Sequence, residues 1–310
     1  MSGYDIRRFL MRVFITGASG HIGSAVVPEL LAHGHEVIGL ARSNASAAAL
    51  KAAGAGVRLG NLDDLDVLRE VAVAADGVIH LAFRHDIAFT GDYAGAAASD
   101  LRAIETVGHA LEGSNKPFVG TSGTLGVRGN PGTEADAASP GPRTTSEEAA
   151  LALAKQGVRS SVIRLAPTVH SSLDHSGFVP ALIALARKNG FAAYVGDGQN
   201  RWPALHTLDA ATLYRLALES APAGTRIHGV ADEGVPFLAI AEAIGAGLGL
   251  PAKSVTSDEA GQYLGFLGMF AQIDNPTSSK RTQELLKWQP KHPGLLADLA
   301  EGHYFAPKAG

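Results

Sequence analysis

Gly17, Gly20 and Gly23 recur at three-residue intervals in Thr16-Gly17-Ala18-Ser19-Gly20-His21-Ile22-Gly23. The apolar run Val13-Phe14-Ile15 precedes them, and an apolar segment from Ile22 to Leu31 follows. Between a strand and a helix, this spacing does anion chemistry. The first glycine lets the chain turn off the strand, and the second lets backbone N–H groups approach a pyrophosphate. The third lets the helix pack close to the sheet. The helix N-terminus adds unpaired N–H groups and a partial positive charge. A plain glycine-rich turn has the same spelling, but the flanking strand and helix make a dinucleotide the expected ligand. Ser19, His21 and Ile22 lie inside the loop and are expected contacts with it.

The end of the second strand, Glu36 to Leu40, bears on which dinucleotide. An acidic residue there grips the ribose 2′-OH of NAD. This chain has Ala41-Arg42-Ser43 instead. Arg42 offers a guanidinium to a 2′-phosphate, Ser43 adds a hydroxyl, and no carboxylate stands there to repel the phosphate. NADP is the expected cofactor, with NAD as the alternative. The plainer reading is a surface arginine, or one stacked flat on adenine. Asn61 and Leu62, after the third strand, are placed to flank the adenine. Leu81, Ala82 and Phe83, after the fourth, fall on the cofactor side, the last two at the adjacent ribose.

Groups so spread along a chain meet only if strands end at one common edge. Val57 to Leu59, Val78 to Ala82, Pro117 to Thr121 and Ser161 to Leu165 read as further strands. Helical segments alternate with them, including Tyr93 to Leu111 and one capped by Thr145 or Ser146 and running to about Gln156. This alternation predicts an α/β fold with a doubly wound parallel sheet. Beyond Leu165 the pattern loosens. Phe178 to Lys188, Asp209 to Glu219, Pro236 to Leu248, Ser257 to Phe270 and Ser279 to Leu286 read as helices, with one strand at Arg226 to Val230. These predict a small, mostly helical cap over the carboxyl ends of the strands. Trp202 reads as packing for that cap, Tyr194 as a core or rim residue, and Trp288 as a C-terminal docking anchor. The expected division is an N-terminal disordered extension over 1–10, a dinucleotide-binding core over 11–165, and a cap over 166–310 with segments returning to the core.

Composition narrows the function classes. The 310 residues are 46% hydrophobic and 18% charged, as in globular proteins. A net charge of −4 gives no general attraction to nucleic acid or an anionic membrane. With no cysteine there is no disulfide, thiolate metal site or cysteine nucleophile. No apolar run reaches membrane-spanning length. The first ten residues carry Arg7 and Arg8 but lack the apolar core and cleavage site of a signal peptide, so a cytoplasmic location is expected. Asp174 and His175 alone do not predict a metal site. Alanine-rich helices leave both a monomer and a homodimer open.

The motifs, taken in order, resemble the short-chain dehydrogenase/reductase superfamily, most like its extended and atypical branch near the NAD-dependent epimerase/dehydratase-like proteins. The matches are the glycine motif, His80-Leu81-Ala82, Thr121-Ser122-Gly123-Thr124, Arg164-Leu165-Ala166-Pro167-Thr168-Val169, Gly196-Asp197-Gly198 and His206-Thr207-Leu208-Asp209-Ala210-Ala211. The resemblance implies a Rossmann core. It implies cofactor contacts at Thr121 and at Pro167, Thr168 and Val169, the last three bordering the nicotinamide. Members usually carry a tyrosine and a lysine four residues apart on the helix after the loop, where both share one face. The tyrosine passes a proton to a carbonyl oxygen, and the lysine lowers its pKa. In this chain Arg143 and Glu147 occupy those positions.

Three outcomes follow. A reductase of a small aldehyde or ketone persists with altered machinery, or the site does redox-neutral epimerase or dehydratase work, or the protein binds NADP as a sensor without turnover. For the first, Ser122 and Thr124 resemble the family's hydroxyl donors, and Arg143 supplies fixed positive charge to an oxyanion without itself giving a proton. His170 is the first candidate donor, with His206 behind it. Each has a plainer reading. The two hydroxyls close a strand-end turn, Arg143 pairs with Glu147 across one helical turn, and His170 is a loop histidine bonded to backbone.

Overall fold

In the computed structural model, which describes residues 10–88 and 91–306, strands and helices alternate through the first half of the chain. They are β1 (Arg12–Thr16), α1 (Gly23–Ala32), β2 (Glu36–Ala41), α2 (Asn44–Ala52), β3 (Gly56–Leu59), α3 (Leu65–Ala74) and β4 (Gly77–His80). Then come α4 (His85–Ala88), α5 (Tyr93–Leu111), β5 (Pro117–Gly123), α6 (Pro142–Ala152) and β6 (Arg159–Leu165). The second half adds β7 (Thr168–His170), α7 (Phe178–Asn189), β8 (Ala192–Val195), β9 (Arg201–His206), α8 (Thr207–Ser220) and β10 (Thr225–Gly229). It ends with β11 (Asp232–Pro236), α9 (Phe237–Leu248), β12 (Ala252–Val255), α10 (Ala260–Leu264), α11 (Lys280–Leu286) and α12 (Leu295–Ala300). The expectation for residues 1–10 falls, Leu10 apart, outside the described residues.

Seven strands form one sheet in the order β10-β6-β5-β4-β1-β2-β3, every neighbouring pair parallel. The order reverses direction at β1, beside β4. That is the switch point where open α/β sheets bind ligands, at the carboxyl ends of the strands. Val13, Phe14 and Ile15 are fully buried, as are Val78 and Ile79, because helices cover both faces. α8 and β10 return to this core from beyond Leu165, and α8 packs against α1.

The cap is built on its own apolar cluster around α7 and α9, with Trp202 wholly buried between Phe178 and Phe237. The sequence pattern reads this region as mostly helical, but the structure also contains a three-stranded sheet, β11-β9-β7, and a two-stranded one, β12-β8. These strands are three to six residues long, too short for alternation to distinguish from loop. The helix expected over Ser257 to Phe270 is instead α10 followed by two 3-10 turns. Likewise α6 starts at Pro142 rather than after Thr145, because a proline in the first turn loses only an N–H that has no partner there.

Candidate functional site

The glycine loop closes tightly on the end of β4. Gly17 sits at φ +71°, and a side chain there would meet the backbone of Ala82 at 2.8 Å. At Gly23 a side chain would meet the Gly17 carbonyl at 2.3 Å, so the third glycine lets α1 begin directly over the strand-end turn. The hydroxyl of Thr16 accepts from the Ala82 N–H at 3.3 Å, binding loop and strand end together. This bare backbone cradle, open to a helix N-terminus, fits a dinucleotide pyrophosphate held by residues 17–23.

The adenosine end is more mixed. Arg42 is 70% exposed at its side chain, and its guanidinium lies 3.7 Å from the Asp86 carboxylate. The sequence segment has no carboxylate here, but tertiary folding brings one from α4, and that corrects the expectation. Asp86 is itself held by Arg84 at 3.0 Å. Ser43 caps α2, its hydroxyl accepting the Ser46 N–H at 3.1 Å. Asn61 donates to Asp64 at 2.7 Å, while Leu62 is buried in the core. Thr121 donates to the His80 carbonyl at 2.7 Å, and Thr168 to the Pro203 carbonyl at 2.6 Å.

Arg143 stands at the carboxyl edge between β4 and β5. Its guanidinium donates to Asp100 at 2.9 Å and to the Thr121 carbonyl at 2.8 Å, and it lies over the Phe83 ring at 4.4 Å. Asp100 is 1% exposed and also bonds His80 at 3.1 Å, whose other nitrogen meets the Thr16 hydroxyl at 2.9 Å. A polar chain therefore runs from the glycine loop through His80 and Asp100 to Arg143. Burial pushes the Asp100 pKa up. The His80 hydrogen bond and the Arg143 charge outweigh that and hold it below the usual carboxylate range. Sequence reading missed Asp100. Its signal was a carboxylate on the apolar stripe Ala96, Ala97, Ala103, Ile104 and Val107 of α5, where an unpaired charge is not tolerated.

Glu147 does not pair with Arg143. It is buried, bonding Arg164 at 2.6 Å and Arg226 at 3.1 Å. Burial raises its pKa, but these guanidiniums and the Ser122 hydroxyl bring it below the ordinary value. Glu147, which the resemblance sets at the family's lysine position, is thus part of an interior ion pair. Thr124, fully buried, donates to the Asn275 side chain at 3.0 Å. Both candidate hydroxyls are hydrogen-bonded within the protein, and of Ser122, Thr124, Arg143 and His170 only Arg143 is substantially exposed, 22% at its side chain.

His170 belongs to a different assembly, where the cap meets α1 and α8. It is fully buried and bonds Asp298 at 2.9 Å. Its ring lies 5.5 Å from His206, which stacks on His292 at 4.7 Å. His292 bonds Asp209 at 2.8 Å. On the core side, the Thr207 hydroxyl donates to the His170 carbonyl at 3.0 Å and accepts from Ser171 at 2.9 Å. Its remaining lone pair meets His21 Nε2 at 2.8 Å, so that nitrogen carries the proton. His21 Nδ1 then faces Asp174 at 3.6 Å. Burial, then the charges of His175, His170 and His206, lower His21 to about 4, while burial raises Asp174 to about 6. Nearby, ligand atoms of Asp298, Glu301 and His303 lie within 4.8 Å of one another, although Asp298 is already engaged by His170. Among the described residues, no helix is long and apolar enough to cross a membrane.

Residues 13–228 match the model of the NAD dependent epimerase/dehydratase family. An uncharacterized protein of Schizosaccharomyces pombe is 48% identical, over 95% of this chain and 100% of its own length. A 4-hydroxy-2-methyl-3-oxo-4-farnesyl-3,4-dihydroquinoline-1-oxide ketoreductase of Stigmatella aurantiaca is 28% identical, over 69% of this chain and 66% of its own. In fold, the chain is similar to the dTDP-glucose 4,6-dehydratase DesIV of Streptomyces venezuelae, solved with NAD and TYD bound. The TM-score is 0.76 at 18% identity, covering 95% of this chain and 96% of that one. The expected superfamily and Rossmann architecture are therefore borne out.

Proposed function

The chain belongs to the NAD dependent epimerase/dehydratase family, and on that footing we propose that it is an NADP-dependent oxidoreductase reducing a small aldehyde or ketone. The observation that carries this reading is Arg143. It is a fixed cation at the strand-end edge, anchored by Asp100 and by the Thr121 carbonyl, with part of its surface exposed. A reduced nicotinamide dinucleotide, when bound, supplies hydride. The protein's share is to orient a carbonyl and stabilise charge growing on its oxygen, which a preorganised guanidinium does without reorganising. In this reading the glycine loop and Arg42 hold the dinucleotide. The ketoreductase among the relatives supports the reductase class.

The cap offers little for a strongly anionic sugar nucleotide. Of its basic groups, Arg201 is bound to Asp274 at 2.8 Å and Arg187 to the Phe305 carbonyl at 3.2 Å. The second reading, a non-catalytic NADP sensor, is favoured by Glu147, whose interior pairing leaves no lysine equivalent. The deciding experiment follows NADPH oxidation against a panel of aldehydes and ketones, with NADPH and NADH binding measured by calorimetry. Turnover supports the oxidoreductase. Tight binding without turnover supports the sensor, and absence of binding removes both.

A further inference from the structure

The reduction just described leaves the source of the proton open, and the Arg143 edge contains a group that no part of it uses. Asp92 caps α5, its carboxylate accepting the Gly95 N–H at 2.8 Å, and this fixes Tyr93 as the first helical residue. The Tyr93 ring lies 5.9 Å from Phe83, the same ring that Arg143 covers at 4.4 Å. Tyr93 is 43% exposed. Tyr93 therefore packs on the same ring as the cation proposed to hold a carbonyl oxygen, near enough for that charge to act on its hydroxyl, and is in contact with water.

The neighbouring groups are poorer donors. Arg143 does not give up a proton. Ser122 and Thr124 are bonded to Glu147 and Asn275. Tyr214 is fully buried behind Thr121. His85 lies 5.1 Å from Phe83, but burial and the Arg143 charge lower its pKa, leaving an uncharged imidazole at neutral pH. His170 is sealed into the cap junction.

From this arrangement we infer that Tyr93 is the proton donor of the proposed reduction, doing from α5 what the family's tyrosine does from α6. The inference rests on the oxidoreductase reading. Once the carbonyl carbon has gained hydride and the C=O π pair has moved to oxygen, that oxygen takes the Tyr93 hydroxyl proton. The O–H electrons remain as a phenolate, which the Arg143 charge favours. Water then reprotonates it, which the exposure of the ring permits. Burial, more than the Arg143 charge opposes, raises the Tyr93 pKa, so the phenol holds its proton throughout the neutral range.

The test uses the full chain, NADPH and the same carbonyl panel. Tyr93→Phe is expected to lower kcat about a hundredfold or more while NADPH affinity stays within about twofold. A second readout does not depend on turnover. With 3-fluorotyrosine at position 93, the fluorine resonance should shift when an alcohol product joins the NADPH complex. Full-rate Tyr93→Phe in an active enzyme, an unmoved resonance, or a loss that follows His85→Gln instead, each overturns the donor assignment alone. A wild-type chain that binds NADPH and reduces nothing overturns the oxidoreductase reading, and this inference with it.

Discussion

Arg143 on α6 and His170 at the end of β7 are both catalytic candidates in the sequence, and both are ionisable groups paired with a buried carboxylate, yet they sit in opposite surroundings. Arg143 keeps 22% of its side chain exposed beside Phe83, and its partner Asp100 takes the buried end of the pair. His170 has no exposed surface. Its carboxylate, Asp298, comes from the far C-terminus, and its ring packs against another histidine. The first arrangement leaves a charge able to act on a ligand. The second joins cap to core through Nδ1 and leaves the buried Nε2 without a hydrogen-bond partner and out of reach of solvent. A titratable residue is thus not evidence of chemistry until its access to a ligand is known.

The comparison can be broken most forcefully one helical turn from Arg143. Glu147→Ala strands Arg164, wholly buried, without its carboxylate, and should cost about 3–5 kcal/mol of stability in urea unfolding. A loss near zero would mean that this interior is wet enough to solvate the guanidinium. Arg143→Ala should fall on function instead, lowering kcat for any reduced carbonyl by about a hundredfold to a thousandfold, as removal of an oxyanion donor does. An unchanged rate in a folded variant would move Arg143 into the same structural class as His170.

The sealed junction should be visible in pH rather than in rate. His21 has a folded pKa of about 4 against an ordinary 6.5, so the unfolded chain binds more protons in that window, and stability drops as pH falls through it. Asp174, raised from 3.8 to about 6, has the opposite slope, its contribution being lost as pH rises through that range. The two offset each other in the wild type. His21→Gln removes one side, so its stability relative to wild type should improve between pH 6.5 and 4, by at most about 3 kcal/mol, in urea unfolding at each pH. A pH-independent difference would show that His21 is not the neutral partner. The smallest effect concerns the cofactor. Arg42→Ala should weaken NADPH by about tenfold in calorimetry and leave NADH nearly unchanged, and Asp86→Asn should tighten NADPH. Equal effects on both nucleotides would remove the 2′-phosphate assignment.

The core fold was legible because its signals are local. Val13-Phe14-Ile15, the glycine spacing and the α5 segment each state an element within a few residues. Replacement of the tyrosine and lysine was legible in the same way, since Arg143 and Glu147 are read off one helix. Destinations were not. Nothing adjacent in sequence tells Arg143 that Asp100, 43 residues earlier, is its partner, or Glu147 that Arg164 lies behind it. The i, i+4 spacing made their mutual pairing look natural, but helix α6 points one residue to the cleft edge and the other into the interior.

The sequence by itself determined the doubly wound core, the glycine loop after β1 and the presence of Arg143 and Glu147 on α6, because periodicity, glycine spacing and motif order are properties of short stretches. Tertiary structure alone decided which charges are spent and which remain available. It brought Asp86 to Arg42, closed Asp298 on His170, and set Tyr93 and Arg143 against the same ring, Phe83. The physical reason is that pairing and desolvation depend on distance through space, and the residues that settle them arrive from elements far apart along the chain.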